Sequence, residues 1–160
     1  MGHATGMNPR PRRSLPTLFF GILLAASGGV PAHEPLAFGA PGDPARVTRT
    51  IEISMSDTMR FDPATIRVRA GDTVRFVVAN PGRVRHEFVL GTMEELREHA
   101  ALMRKFPDME HHEPHMATVD PGGKATIVWR FTKAGTFHFA CLEPGHLEAG
   151  MVGEVDVAPK

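Results

Sequence analysis

The chain has 160 residues, which allows one domain together with a leader segment. Its 18 basic and 18 acidic residues form no basic patch with interleaved aromatic side chains, which argues against nucleic acid as a partner. The single cysteine, Cys141, excludes an internal disulfide framework.

The N-terminal segment follows the pattern of a secretory signal peptide. Three arginines precede an apolar stretch over residues 15–26, and small residues then lead to Ala32. This order predicts a signal peptide at residues 1–32, cleaved after Ala32, and hence export to the periplasm. A membrane anchor is the alternative interpretation, although the stretch is shorter than the roughly 20 apolar residues that span a bilayer. After cleavage no stable membrane insertion is expected, and the mature chain is mildly acidic, with 15 basic and 18 acidic residues.

Residues 33–46 are rich in proline, glycine and alanine, and they are predicted to form a flexible N-terminal arm. Cleavage after Ala32 would make His33 the first residue of the mature chain. Its amino group and ring nitrogen could then chelate Cu(II). The main domain is predicted to cover residues 47–160.

Short segments with alternating apolar residues follow the arm and predict β-strands. Turn residues such as Gly71 and Asp72 separate them. The predicted strands cover residues 50–56, 65–70, 73–79, 84–90 and 125–131, one segment ending at Cys141 and one after Met151. About seven strands at this spacing indicate an all-β sandwich. Ligands at one pole of such a rigid scaffold would move little when a bound metal changes oxidation state.

An insertion at residues 92–116 interrupts the strand pattern. Residues 93–106 have helical spacing of their apolar side chains, at Leu96, Ala100 and Met103. Thr92 followed by Glu95 is a capping-box signature, and Pro107 ends the segment. The insertion is therefore predicted to carry a surface helix packed on the sandwich.

The end of the insertion, residues 107–116, is rich in metal-binding side chains, namely Met109, His111, His112, His115 and Met116. Imidazoles suit Cu(II), and thioethers suit Cu(I). The segment is a candidate for a second, weaker copper site. The alternative is a solvated polar loop that binds no metal.

The run CLEPGHLEAGM at residues 141–151 places Cys141, His146 and Met151 at steps of five residues. Such steps match neither helix nor strand, and the intervening Pro144, Gly145 and Gly150 indicate a turning loop. A lone cysteine is more often a small buried hydrophobe than a ligand. The spacing of this set nevertheless favours a loop that wraps three side chains around one point.

His86 supplies a second imidazole from an earlier strand, on the same face as Phe88 and Leu90. One thiolate, two imidazoles and a distant thioether are the donors of a mononuclear copper centre with a trigonal His₂Cys plane and a weak axial methionine. The predicted metal ligands are therefore His86, Cys141, His146 and Met151.

Over residues 47–158 the chain resembles the cupredoxins, the small blue-copper proteins. The motif Cys-x₄-His-x₄-Met at 141–151 carries most of this resemblance, with VRHEFVLG around His86 and the strand pair at residues 63–82. The resemblance implies a Greek-key β-sandwich with one type 1 copper. One departure is Glu87, because many cupredoxins have asparagine directly after this histidine.

The insertion with methionine and histidine, the HEF sequence at His86 and the run EAGMVG are similar to cupredoxins associated with bacterial copper tolerance. This similarity implies a monomeric, exported protein that handles copper in the periplasm. The alternative is a dedicated one-electron carrier, which would dock a redox partner at an apolar port around His146. An enzyme is poorly supported, since copper oxidases and nitrite reductases need further copper centres and this chain has room for one sandwich.

Overall fold

The structure is a computed structural model, and it describes residues 1–2, 36–106 and 112–160. The chain divides into two compact units, Met1–Pro31 and Ala32–Lys160, and the second unit carries the elements given below. Most of the predicted signal peptide, His33, Met109 and His111 lie outside the described residues. Within the described ranges, no helix combines the length and apolar character needed to cross a bilayer.

The second unit contains ten strands and one α-helix within the described residues. In chain order these are β1 (Gly39–Pro41), β2 (Arg49–Ser56), β3 (Arg60–Asp62), β4 (Thr65–Arg69), β5 (Thr73–Ala79), β6 (His86–Gly91), α1 (Met93–Lys105), β7 (Met116–Val119), β8 (Lys124–Phe131), β9 (Gly135–Ala140) and β10 (Val152–Ala158). A short 3₁₀ helix at Pro44–Arg46 follows β1.

The strands form two five-stranded sheets. One sheet has the order β1-β8-β5-β2-β3 and the other the order β4-β10-β9-β6-β7. The pairs β2–β5 and β4–β10 are parallel, and the other strand pairs are antiparallel. The predicted all-β, Greek-key-like sandwich with a single helical insertion is thereby confirmed.

The core lies between the two sheets and is rich in aromatic side chains. Strand β5 shows why, because Val74, Phe76 and Val78 alternate inward and are all fully buried. The ring of Phe88 packs against Phe76 and Phe139, with centroid distances of 5.4 and 5.1 Å. Burial of each such side chain contributes about 1.5–3 kcal/mol. Packing in this core therefore holds the ends of the strands rigidly in position.

Helix α1 begins with the predicted capping box. The Thr92 side chain accepts from the Glu95 N–H, and the Glu95 carboxylate accepts from the Thr92 N–H. The predicted apolar face is buried in a second core cluster, made by Val89, Leu96, Ala100, Met103, Met116, Ala140 and Leu142. The helix thus packs on strands β6 and β9 near the start of the loop at residues 141–151.

The predicted flexible arm differs from the structure at residues 36–46, the part of the arm that the structure describes. Strand β1 pairs with β8 at the edge of the first sheet, and Phe38 is fully buried. Phe38 packs on Trp129 with ring centroids 5.2 Å apart. An aromatic anchor therefore orders a segment whose proline and glycine content predicted mobility.

Candidate metal centre

Three of the four predicted ligands converge at one end of the sandwich. The ligand atoms of His86, Cys141 and His146 lie within 4.8 Å of one another. The Cys141 sulfur is 3.9 Å from Nδ1 of His86 and 3.2 Å from Nδ1 of His146. Among the residues that the structure describes, this is the only grouping of three or more histidine, cysteine or carboxylate side chains close enough to hold an ion.

Strand pairing brings His86 and Cys141 together, although they are 55 residues apart. His86 is the first residue of β6, and Cys141 directly follows β9. The two strands are antiparallel neighbours, with Val89 opposite Ala140. The start of one strand therefore lies beside the end of the other.

The loop at residues 141–151, here called the ligand loop, is closed by its own backbone. The Cys141 N–H donates to the Met151 carbonyl at 3.1 Å, and the Met151 N–H donates to the His146 carbonyl at 3.0 Å. Gly145 and Gly150 have φ angles of +87° and +90°, which residues with a Cβ rarely adopt. These turns fold the loop back so that Cys141 and Met151, both fully buried, join the same core cluster.

The Cys141 sulfur has little contact with solvent and a defined hydrogen-bond donor. Burial raises the pKa of its thiol to about 12, so without a metal the sulfur keeps its proton. The backbone N–H of Glu87 donates to this sulfur at 3.2 Å and favours the thiolate. Metal binding must displace the thiol proton, and a soft cation such as copper is suited to do so. The donor set and its surroundings therefore fit copper.

His86 is fully buried, and burial is the main cause that lowers its pKa, followed by the neighbouring His146. A neutral imidazole is the form that binds a metal. Its Nδ1 is the ring nitrogen near the Cys141 sulfur, and its Nε2 lies 3.7 Å from Oδ1 of Asp57. The pKa of Asp57 is lowered, mainly by the hydrogen bond that its carboxylate accepts from the Arg83 backbone N–H. This lowered pKa favours the ionised carboxylate.

Glu87 is buried beside the centre at 4% exposure. One of its oxygens accepts from the Thr118 hydroxyl at 3.3 Å. Burial is the main cause that raises the pKa of this carboxyl group. The side chain that replaces the common asparagine therefore forms part of the site wall, while its backbone N–H still serves the sulfur.

Of the second predicted site the structure describes His112, His115 and Met116, and that site stays a prediction. Met116 is buried under α1 in the second core cluster, and His112 is exposed. His115 is half-buried, with its ring 6.0 Å from that of Trp129. Asp57, a neighbour of the site, was not predicted, because nothing in its local sequence pattern distinguishes it from an ordinary turn residue.

A β-sandwich with a buried cysteine between two histidines at one pole is the architecture of a copper-binding cupredoxin. The family model for copper binding proteins of the plastocyanin/azurin family matches residues 47–158. The chain therefore belongs to the plastocyanin/azurin family of copper-binding proteins, and copper is its cofactor.

Similar proteins agree with this assignment. The chain is 58% identical over 134 residues to the copper-resistant cuproprotein CopI of Rubrivivax gelatinosus, covering 83% of this chain and 81% of that protein. It is 38% identical over 181 residues to the copper-resistant cuproprotein CopI of Pseudomonas aeruginosa, covering 93% and 99%. The solved structure of auracyanin B superposes with a TM-score of 0.64 at 20% identity, covering 78% of this chain and 97% of that one. That likeness supports the fold.

Proposed function

We propose that the chain is an exported copper-binding protein that handles copper in the periplasm and contributes to copper tolerance. The ligands in this proposal are His86, Cys141, His146 and axial Met151. The observation that carries the proposal is the buried Cys141 sulfur with a histidine Nδ1 at 3.9 Å on one side and another at 3.2 Å on the other. Relatives named copper-resistant cuproproteins support the tolerance role.

Each ligand has a distinct role in this proposal. Bound copper supplies one-electron chemistry between Cu(II) and Cu(I). Cys141 provides a soft thiolate that suits both states, and the neutral rings of His86 and His146 complete a plane around the ion. Met151 provides the weak axial donor, which tunes the balance between the two states. Four protein donors leave no open position for a substrate, so we assign no catalytic reaction to the chain.

A one-electron carrier is the second candidate function, and the position of His146 favours it. His146 is half-buried, whereas His86 and Cys141 are fully buried. Pro144 is exposed beside it, and Leu147 is half-buried. The edge of this ring and the neighbouring apolar groups would form the place where an electron enters or leaves.

Copper stoichiometry and visible spectroscopy of the purified mature chain test the copper site. We expect at least one tightly bound copper and an intense thiolate-to-Cu(II) band. Cys141→Ser should abolish the band, because an alcohol oxygen is a poor soft donor. A variant that keeps the band would refute the ligand assignment.

Growth in high copper of a strain from which the gene has been deleted distinguishes the two functions. For copper handling, we expect the wild-type gene to restore growth in high copper, and Cys141→Ser to fail. Copper bound in excess of one ion, and lost on joint replacement of His111, His112 and His115, would also favour handling. Unchanged tolerance in the deletion strain, with one copper per chain, would favour the carrier.

A further inference from the structure

Residues 57–60, which form the turn between β2 and β3 and the first residue of β3, contact both ligand-bearing segments. On one side, Asp57 Oδ1 lies 3.7 Å from Nε2 of His86. On the other side, the Arg60 guanidinium donates to the Ala149 carbonyl of the ligand loop at 2.9 Å. This short segment therefore contacts the two parts of the chain that carry the proposed ligands.

The Asp57 carboxylate is fixed by groups other than the imidazole. Its two oxygens accept from the Arg83 N–H at 2.9 and 3.0 Å, and Oδ1 lies 3.4 Å from the Val84 nitrogen. A Cβ on Gly82 would overlap with this carboxylate, so a glycine there permits the close approach. The carboxylate is thus held beside Arg83 and Val84, which precede the strand that begins at His86.

The Asp57 carboxylate has other hydrogen-bond partners, whereas the imidazole Nε2 of His86 has, within the part of the chain that the structure describes, only this contact to orient it. The ring is fully buried, and its Nε2 makes no hydrogen bond of good geometry with the described residues. At 3.7 Å from Oδ1, the pair is a close electrostatic contact, slightly longer than a full hydrogen bond. A negative oxygen at that place favours the tautomer with the proton on Nε2. That tautomer leaves the lone pair of Nδ1 on the side of the Cys141 sulfur.

We propose that Asp57 is a positioning residue of the copper site, which selects the His86 tautomer and adds negative charge behind the ring. The inference deepens the proposed function and depends on His86 being a ligand. Carboxylates behind metal-binding histidines raise the basicity of the ligand and orient its ring. A negative charge there stabilises Cu(II) more than Cu(I), because the oxidised ion carries more positive charge. Asp57 therefore lowers the reduction potential of the site.

Asp57→Asn and Asp57→Ala separate this role from a purely structural one. The asparagine removes the charge and keeps one oxygen for the Arg83 and Val84 N–H groups, with a neutral amide nitrogen in place of the other oxygen. The alanine removes the charge and both oxygens. Asp72→Asn is the matched control, because Asp72 also accepts a backbone N–H, that of Arg69 at 2.9 Å. Asp72 precedes β5 and Asp57 follows β2, so the two lie at opposite ends of these parallel strands.

Three measurements on the full mature chain read out the role. Nitrogen NMR of the metal-free protein reports the His86 tautomer, and we expect one Nε2–H tautomer in the wild type and a mixture in Asp57→Ala. Competition with a chelator should show Cu(II) binding weakened about 10- to 100-fold in Asp57→Ala. The reduction potential should rise in Asp57→Asn and stay at the wild-type value in Asp72→Asn.

The inference is overturned if Asp57→Asn keeps the wild-type potential, or if a folded Asp57→Ala keeps a single Nε2–H tautomer. An equal rise of the potential in Asp72→Asn would overturn it as well, since it would indicate a general loss of rigidity. If Asp57→Ala does not fold, Asp57→Asn decides. Failure of the wild type to bind copper through Cys141 would instead overturn the proposed function, and the tautomer of the metal-free protein would still test the contact between Asp57 and His86.

Discussion

Met151 has a structural role in the ligand loop in addition to its proposed role as a weak axial donor. Its spacing, five residues after His146, predicts the axial position. The structure shows it fully buried, in the same core cluster as Cys141. Its backbone closes the ligand loop through hydrogen bonds with Cys141 and His146, so the residue has a structural task besides the proposed weak donation.

Met151→Leu separates these two tasks. A volume-conserving swap in a core usually costs less than about 1.5 kcal/mol, and the backbone hydrogen bonds do not depend on the side chain. We expect the metal-free variant to unfold close to the wild-type temperature. Its reduction potential should be higher, because the loss of a donor lone pair costs Cu(II), which carries the greater positive charge, more than it costs Cu(I).

Met103→Leu is the control for that experiment. Met103 is buried at 3% exposure on α1, in the other core cluster. It should show the same small stability change and an unaltered potential and visible spectrum. An unaltered potential in Met151→Leu would rule out the axial role.

At the scale of elements, the ligand loop depends on two glycines with positive φ that differ in their surroundings. A Cβ on Gly145 would have no heavy atom within 4 Å. A Cβ on Gly150 would lie 3.2 Å from a guanidinium nitrogen of Arg60, which holds the Ala149 carbonyl. The first position requires only the dihedral angle, and the second also requires space.

Gly145→Ala and Gly150→Ala therefore form a matched pair. Each should lose about 1–3 kcal/mol of unfolding free energy, the usual cost of a left-handed conformation for a residue with a Cβ. We expect Gly150→Ala to lose more and to alter the copper spectrum, because the Arg60 side chain must shift beside Met151. Urea unfolding of the metal-free proteins and visible spectra of the copper forms measure both effects. A larger loss at Gly145 would contradict this account.

Secondary structure could be predicted where one physical signal dominates. The capping box and apolar spacing predicted α1 almost to its ends, and the alternation in β5 predicted that strand from Thr73 to Ala79. Strands β1, β3 and β7 were not predicted. They have three or four residues each, too few for alternation to be visible. In addition, β1 pairs with the distant β8, whereas β3 pairs with the neighbouring β2.

Only part of the candidate site could be predicted, because only part of it has a dominant signal in the sequence. The donor types and their steps of five residues stand out in the sequence, and they identified the three side chains that the structure brings together. The contact between Asp57 and His86 has no such signal. It arises from the parallel pairing of β2 with β5, which places the turn after Ser56 beside the residues after Ala79.

At the scale of the whole molecule, the core connects the metal centre to the far end of the sandwich through aromatic rings. Phe76 contacts Phe88 at 5.4 Å and Phe131 at 6.3 Å between centroids. Phe88 is two residues from His86, whereas the Phe131 N–H donates to the carbonyl of Asp72 at the opposite end. Both rings are fully buried.

Phe88→Leu and Phe131→Leu test whether the two ends are equivalent. Both should destabilise the metal-free protein by about 1–3 kcal/mol, because each removes similar buried apolar volume. Only Phe88→Leu should change the potential and the visible spectrum, since it loosens the strand that carries His86. Equal spectral changes in the two variants would show that the whole core, and not its near end, sets the geometry of the site.

The four proposed donors differ in their exposure to solvent, which affects how the site would exchange its metal ion. His86, Cys141 and Met151 are fully buried, and solvent reaches only His146, on the loop. An incoming ion, or a chelator that removes one, should therefore approach the site beside the ring of His146. The rate of metal exchange should then depend on rotation of the His146 side chain. Such a rotation would allow a buried site to gain and lose its ion.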